Sequence, residues 1–128
     1  MAHPEKLTVP ALRQRKAQHR KITMLTAYDY PLGHLLDEAG VDIVLVGDSL
    51  GMVVLGYDST APVTMDEMLH HAKAVRRAVS RALLVGDMPL SAFQGSVQEA
   101  VKQAGRFVQE AGCDAVKVEW KPTMNEIV

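Results

Sequence analysis

Two aspartates, each directly after a short apolar run, are the residues of this sequence best suited to chemistry. Asp48 follows residues 43–47 (IVLVG), and Asp87 follows residues 84–86 (LVG), 39 residues later than Asp48. A short apolar run closed by a turn signal is typical of a strand buried on both faces, as in a parallel sheet. In parallel α/β folds, ligands bind where the strands end. The two carboxylates could therefore face each other across one site.

A pair of carboxylates suits a hard cation. Mg²⁺ is favoured, because it takes oxygen ligands and keeps several waters that a substrate can replace. The alternative interpretation is that Asp48 and Asp87 are loop residues whose carboxylates cap nearby backbone amides. The spacing alone leaves both interpretations open.

A second charged pair lies on the last apolar segment, where Lys117 and Glu119 alternate with valines. Residues two apart on a strand share a face, so both charges are predicted on the same side of the sheet. Charges on an inner face are costly unless they line a site. One interpretation is a cation for a substrate carboxylate beside a carboxylate near the metal. The other is a structural ion pair inside a barrel.

Ser49 belongs to the tetrapeptide GDSL (residues 47–50), which is also the signature of the GDSL esterases. That hypothesis requires a histidine base and an asparagine for the oxyanion hole. Asn125 is the only asparagine, and no Asp-x-x-His follows. Ser49 is better interpreted as a hydrogen-bond donor to an anionic ligand.

Two further groups of polar residues are weaker candidates. Tyr28 and Asp29 close the first strand and are placed to reach the site. His70 and His71 are adjacent in a predicted helix, and adjacent residues do not share a helix face, so both are predicted to be surface residues.

The composition excludes several classes of protein. The chain has 128 residues, 48 % hydrophobic and 23 % charged, with a formal charge of −1. These values are typical of a soluble globular domain and offer no charge for binding nucleic acid or an anionic membrane. No apolar run approaches the ~20 residues of a membrane span. The single cysteine, Cys113, is consistent with a cytoplasmic location.

The remaining pattern is β-α-β-α-β-α-β after a polar leader. Strands are predicted at residues 22–27, 43–48, 82–87 and 114–119, and a long loop at residues 51–63. Asp29 and two capping boxes, beginning at Thr64 and Ser96, mark the starts of the three helices. Thr8 is predicted to cap a short helix within the leader.

This order requires a parallel sheet with right-handed crossovers. A small doubly wound sheet and half of a (β/α)₈ barrel both satisfy it, and the strand alternation favours the barrel. The predicted fold is therefore α/β, of the (β/α)₈ TIM-barrel type, with four strands and three helices in this chain. If Asp48 points inward, the same alternation places Val44 and Val46 inward as well.

Five segments of the sequence carry a resemblance to a known family. They are MLTAYD (24–29), VGDSLG (46–51), TAPVT (60–64), GDMP (86–89) and AVKVE (115–119). In this order they resemble ketopantoate hydroxymethyltransferase, also called 3-methyl-2-oxobutanoate hydroxymethyltransferase, from about Val9 to Glu119.

The resemblance implies a Mg²⁺-dependent barrel that transfers a one-carbon unit from 5,10-methylenetetrahydrofolate to 3-methyl-2-oxobutanoate, giving ketopantoate in pantothenate biosynthesis. It implies that Asp48, Asp87 and Glu119 hold or adjoin the metal, and that Ser49 and Lys117 contact the 2-oxo acid. The family's large homo-oligomers imply a homo-oligomer here. The phosphoenolpyruvate mutase and isocitrate lyase group is an alternative of similar architecture.

The sequence also departs from the family pattern. The family's general base comes from the second half of its barrel, so no residue here is assigned that role, and Trp120-Lys121-Pro122 stands where the family continues with glycines. We expect a leader at residues 1–21, a half-barrel carrying the site at 22–119, and a polar tail at 120–128. A half-barrel would self-associate or pair with a complementary half. The alternative function is an inactive half-barrel that binds metal and 2-oxo acid or serves only in assembly.

Overall fold

The structure is a computed structural model that describes residues 5–119. The described elements, in chain order, are α1 (Val9–Ala17), β1 (Met24–Thr26), α2 (Tyr30–Glu38), β2 (Ile43–Val46), α3 (Leu50–Val53), α4 (Met65–Ala78), β3 (Leu83–Asp87), a 3₁₀ helix (Leu90–Ala92), α5 (Val97–Gln109) and β4 (Ala115–Lys117). The predicted tail at residues 120–128 lies outside this range.

The four strands form one parallel sheet in the sequential order β1-β2-β3-β4. A doubly wound sheet would reverse its strand order at a switch point, whereas a barrel adds each strand beside the one before. The sequential order therefore confirms the barrel-type prediction. Helices α2, α4 and α5 are the three predicted connections between strands.

The strands are shorter than the sequence predicts. β1 is confined to Met24–Thr26, although Thr23 and Ala27 still pair with β2: the Ala27 N–H donates to the Leu45 carbonyl at 3.0 Å, and the Ile43 N–H donates to the Thr23 carbonyl at 3.0 Å. β4 is likewise confined to three residues.

The helices begin where their capping residues predict. The Asp29 carboxylate accepts the Leu32 N–H at 2.9 Å, and Thr64 and Glu67 form a complete capping box. At α5 the box is half formed. Ser96 accepts the Glu99 N–H at 3.2 Å, but the Glu99 carboxylate accepts a hydrogen bond from Gln103 instead of returning to the Ser96 backbone.

The prediction of a continuous loop over residues 51–63 is wrong at its start, where the chain forms α3. The Val53 and Val54 N–H groups donate to the Ser49 and Leu50 carbonyls at 2.9 Å. Leu50 is fully buried, so packing pulls this segment into a turn of helix despite its glycine. Gly51 is required there because a Cβ would collide with Val63.

The hydrophobic core lies between the sheet and the helices, and its side chains include Phe107 of α5, Met68 of α4 and Leu84 of β3. Val44 and Val46 belong to this core. Val46 pairs with Gly86, where a Cβ would run into the Phe107 ring. The expectation that these valines point inward with Asp48 is therefore wrong: they face the helices, and Asp87 and Lys117 occupy the opposite face of the sheet.

The helices described between residues 5 and 119 include none with the length and hydropathy to cross a bilayer.

Candidate active site at the carboxyl edge of the sheet

Asp87 is the centre of a charged cluster where β2, β3 and β4 end. It is the last residue of β3, and the strand register sets it beside Lys117, the last residue of β4. The Lys117 ammonium donates to Asp87 Oδ1 at 2.8 Å. The Asp87 side chain is almost fully buried, so this ion pair is shielded from water on the carboxylate side.

Asp48 meets Asp87 through its backbone. The Asp48 N–H donates to Asp87 Oδ2 at 3.2 Å, which ties the end of β2 to the end of β3. The structure thus brings together the two aspartates that lie 39 residues apart in sequence. It also satisfies part of the capping interpretation, because one carboxylate does accept a backbone amide.

The electrostatics of the cluster are dominated by negative charge. Burial raises the pKa of the Asp48 carboxyl, and the carboxylates of Asp87 and Glu119 raise it further, against an opposing effect of Lys117. Burial alone would lower the pKa of Lys117, but the hydrogen bond to Asp87 and the surrounding carboxylates outweigh it, so the pKa of Lys117 is raised. The ammonium therefore stays charged, and three carboxylates surround it.

Glu119 lies at the rim of the cluster. Its Oε1 is 3.9 Å from the Lys117 Nζ, and its side chain is 62 % exposed. The predicted sharing of one face by Lys117 and Glu119 agrees with this contact. The structure shows Glu119 as a partner of Lys117, and its place beside a metal stays a prediction.

Ser49 and Tyr28 complete the site on the β1 side. The Tyr28 hydroxyl and Ser49 Oγ are 2.8 Å apart and share a hydrogen bond. Gly47 makes room for this arrangement, because a Cβ there would lie 3.0 Å from Ser49 Oγ and 3.8 Å from Asp87 Oδ2. Ser49 thus has a tyrosine as its hydrogen-bond partner, where the esterase hypothesis requires a histidine.

The donor set fits a Mg²⁺ ion that keeps most of its water. Mg²⁺ in proteins is commonly held by one or two carboxylates with water and substrate oxygens in the remaining positions. Asp48 and Asp87 provide two carboxylates, and each Asp87 oxygen keeps a lone pair beyond the hydrogen bond it accepts. Across residues 5–119, no three or more His, Cys, Asp or Glu side chains are grouped as an all-protein metal cage. These residues therefore fit a substrate-assisted Mg²⁺ site.

Asp29 and His71 differ from the expectations for them. Asp29 is exposed and caps α2, outside the cluster. His71 is not a plain surface residue: it is half-buried, and its Nδ1 is 2.7 Å from the Tyr28 carbonyl oxygen, while His70 is exposed. The helical phase carried the signal, since His71 follows the buried Met68 by three residues and precedes the buried Val75 by four.

Several cavities of the described structure lie away from this charged cluster. Cavities of about 290–420 Å³ lie at the opposite edge of the sheet, against α1, the end of α2 and the strand starts. In barrel folds that edge serves stability, while the carboxyl edge carries the chemistry.

The sequence resembles one protein family over nearly its whole length. Residues 6–128 match the family model described as Ketopantoate hydroxymethyltransferase. The 3-methyl-2-oxobutanoate hydroxymethyltransferase of Syntrophomonas wolfei is 59 % identical over 114 residues, which cover 89 % of this chain and 41 % of that protein. The enzyme of the same name from Moorella thermoacetica is 55 % identical over the whole chain and 49 % of its own length. The chain thus spans less than half the length of these relatives.

Solved structures agree on the fold. A phosphonopyruvate hydrolase in complex with oxalate and Mg²⁺ superposes with a TM-score of 0.70 at 20 % identity, over 93 % of this chain and 42 % of that one. A phosphoenolpyruvate phosphomutase from Streptomyces platensis superposes with a TM-score of 0.68 at 21 % identity, over 87 % and 37 %. At this identity the likeness establishes the α/β barrel-type fold and nothing further.

Proposed function

Because the chain belongs to the ketopantoate hydroxymethyltransferase family, we propose that it carries the metal and 2-oxo-acid side of that enzyme's active site. The reaction is the Mg²⁺-dependent transfer of a hydroxymethyl group from 5,10-methylenetetrahydrofolate to 3-methyl-2-oxobutanoate, giving ketopantoate in pantothenate biosynthesis. The observation that carries the proposal is the cluster of Asp48, Asp87 and Lys117 at the carboxyl edge of the sheet. The family match does not favour the alternative of an inactive half-barrel.

In this proposal Asp48 and Asp87 hold the Mg²⁺ ion, with Glu119 beside it directly or through water. A bound Mg²⁺ supplies Lewis acidity, which makes the C–H next to the ketone of a 2-oxo acid more acidic. The chain's own contribution is to keep two carboxylates together in a partly buried place, where their mutual repulsion favours a cation.

Lys117 and Ser49 bind the 2-oxo acid. An ammonium group has three hydrogens to donate, so Lys117 can keep its bond to Asp87 Oδ1 and still donate to a substrate carboxylate. A hydroxyl donates one hydrogen bond and accepts others. When the Tyr28 hydroxyl donates to Ser49 Oγ, the Ser49 proton is available to an anionic ligand.

We also propose that the protein works in the cytoplasm as a homo-oligomer or paired with a complementary half-barrel. The support is the surface of the described sheet: β1 and β4 are its edges, and Met24 and Leu25 on β1 are 44 % and 51 % exposed. Apolar side chains on an open strand edge favour association with another chain.

Proton exchange tests the proposed function directly. The purified chain is incubated in D₂O with Mg²⁺ and 3-methyl-2-oxobutanoate, without folate, and loss of the proton next to the ketone is followed by NMR. We expect exchange well above background, because a metal-bound 2-oxo acid loses that proton more readily, here to water or the buffer base. Chelation of Mg²⁺ should abolish the exchange.

The controls are Asp48→Ala and Asp87→Ala, which should abolish exchange, and Asp58→Ala, an exposed aspartate that should leave it unchanged. Circular dichroism confirms that each variant is folded. Exchange by the folded wild-type chain that does not exceed that of Asp48→Ala would contradict the proposal for this chain.

A further inference from the structure

One face of α4 is bonded to two loops at the carboxyl edge of the sheet. Glu67 and His71 are one helical turn apart, so they lie on the same side of the helix. Glu67 accepts a hydrogen bond from the Tyr57 hydroxyl, and His71 bonds the backbone of Tyr28. Glu67 and His71 lie outside the strand-end motifs that contain Asp48 and Asp87, so those motifs did not identify them as site residues.

The hydrogen bond of His71 has a defined direction. Its Nδ1 lies 2.7 Å from the Tyr28 carbonyl oxygen. A carbonyl oxygen only accepts hydrogen bonds, so Nδ1 must carry the proton. His71 therefore acts on the Tyr28 backbone as a donor, and this requires neither a positive charge nor a particular side chain at position 28.

Tyr28 needs such an anchor because it lies beyond the last ladder bond of an edge strand. The last backbone hydrogen bond between β1 and β2 joins the Ala27 N–H to the Leu45 carbonyl. The next residue is Tyr28, and its hydroxyl reaches Ser49 Oγ at 2.8 Å. A bond to the carbonyl holds the backbone from which the Tyr28 side chain extends, so that only the side-chain torsions are left to vary the position of the hydroxyl.

We propose that His71 is a positioning residue of the 2-oxo-acid site: by donating to the Tyr28 carbonyl, it sets the Tyr28 hydroxyl on Ser49 and so orients the Ser49 proton toward the ligand. This rests on the proposed function in so far as Ser49 binds the 2-oxo acid. The chain of contacts runs from α4 through the β1–α2 connection to the residue after Asp48.

The first test needs no ligand. Tyrosine rings are labelled with ¹³C, and the Tyr28 signal is assigned with a Tyr28→Phe variant. We expect His71→Ala to shift this signal and His71→Asn to retain it, because an asparagine amide can donate from nearly the place of Nδ1. Arg77→Ala is the control, since Arg77 is an exposed residue of the same helix, and it should leave the signal unchanged.

The second test measures binding of 3-methyl-2-oxobutanoate in the presence of Mg²⁺ by calorimetry. His71→Ala should weaken binding about fivefold, the effect of losing one hydrogen bond, while His71→Asn should stay within about twofold of wild type. In a Tyr28→Phe background, His71→Ala should change affinity by less than about twofold, because its path to Ser49 is already removed.

The outcomes separate this inference from the proposed function. A Tyr28 signal that His71→Ala leaves unmoved would overturn the inference, whether or not the ligand binds. The inference would also be overturned if His71→Ala weakened binding by the same factor of about five in the Tyr28→Phe background as in the wild type. A wild-type chain that does not bind the 2-oxo acid would contradict the proposed function, and the ligand-free spectra would still decide the role of His71 toward Tyr28.

Discussion

At the scale of single residues, the two aspartates that look equivalent in sequence have different tasks. Asp87 is nearly buried, and its two oxygens accept the Lys117 ammonium and the Asp48 amide. Asp48 is more exposed and carries the raised pKa. Asp87 therefore organises the cluster, and Asp48 is the carboxylate with more freedom to meet a cation.

Lys117→Gln is expected to have opposite effects on the binding of the two proposed ligands, Mg²⁺ and the 2-oxo acid. The change removes a positive charge from Asp87 Oδ1, so the affinity for Mg²⁺ should rise by a few-fold. Binding of the 2-oxo acid should fall by about tenfold or more, because a charge-assisted hydrogen bond to its carboxylate is lost. Calorimetric titrations with Mg²⁺ alone and then with the acid measure both effects.

Lys102→Gln on the exposed part of α5 is the control for the change in net charge. It should alter neither affinity. Equal losses of metal and acid affinity in Lys117→Gln would show that Lys117 only supports the structure of the site.

At the scale of elements, the ends of the helices are bonded to the starts of the strands. The segment from Glu38 to Val46 is repeated at Glu110 to Val118, and in both copies a glycine with positive φ ends the helix, at +81° for Gly40 and +66° for Gly112. Asp37, in the last turn of α2, accepts the backbone N–H groups of residues 80, 81 and 82 ahead of β3. These contacts stabilise the edge of the sheet that lies opposite the site.

Stability should fall in acid because of Asp37 and similar carboxylates. Burial would raise the pKa of Asp37, but the N–H groups of Ala82, Ser80 and Arg81 outweigh it and lower the pKa below its usual 3.8. A lowered pKa in the folded state adds stability above the unfolded value, and that stability is lost as the pH falls through the folded value. The free energy of unfolding in urea should therefore decrease below about pH 4.

Asp37→Asn should reduce the free energy of unfolding at pH 7 by about 1 kcal/mol and make its decrease in acid smaller. Glu38→Gln is the matched control, because Glu38 is the next residue and its side chain is 68 % exposed. An Asp37→Asn variant with the wild-type acid dependence would refute this account.

At the scale of the whole molecule, the described sheet is covered unequally on its two faces. The helices bury Val44, Val46 and Leu84 completely, whereas on the other face the β3 residues are buried but Ile43 and Leu45 of β2 remain half-buried. Parallel sheets are normally covered on both faces. The family relatives are more than twice as long as the matched part. In the proposed assembly, another chain would cover the less buried face of the sheet and its two edges.

The chain, with a mass of 14.0 kDa, should therefore elute as a larger species in size-exclusion chromatography with light scattering. Leu25→Lys should move the distribution toward the monomer, because it places a charge on the edge strand β1. Leu35→Lys is the matched control, since Leu35 is 60 % exposed on α2, away from the strand edge. A wild-type mass of 14.0 kDa at all concentrations would exclude self-association.

The sequence by itself determined the features that depend on neighbours along the chain. Strand and helix order follow from local periodicity, and the starts of α2 and α4 follow from Asp29 and Thr64, since a cap bonds residues only three positions away. The pattern that placed Asp48 and Asp87 at strand ends, an apolar run followed by Gly-Asp, is also local. The family resemblance likewise rests on short continuous segments of the sequence.

Only the tertiary structure decided which side chains meet. The helix at Leu50–Val53 forms because packing buries Leu50, and no local signal outweighs the glycine and turn residues there. The alternation of β2 ends at Gly47, so it could not predict the direction of Asp48. The contact from His71 to Tyr28 joins residues 43 positions apart. Such contacts depend on how helices pack on the sheet, and periodicity within one element carries no information about its neighbour.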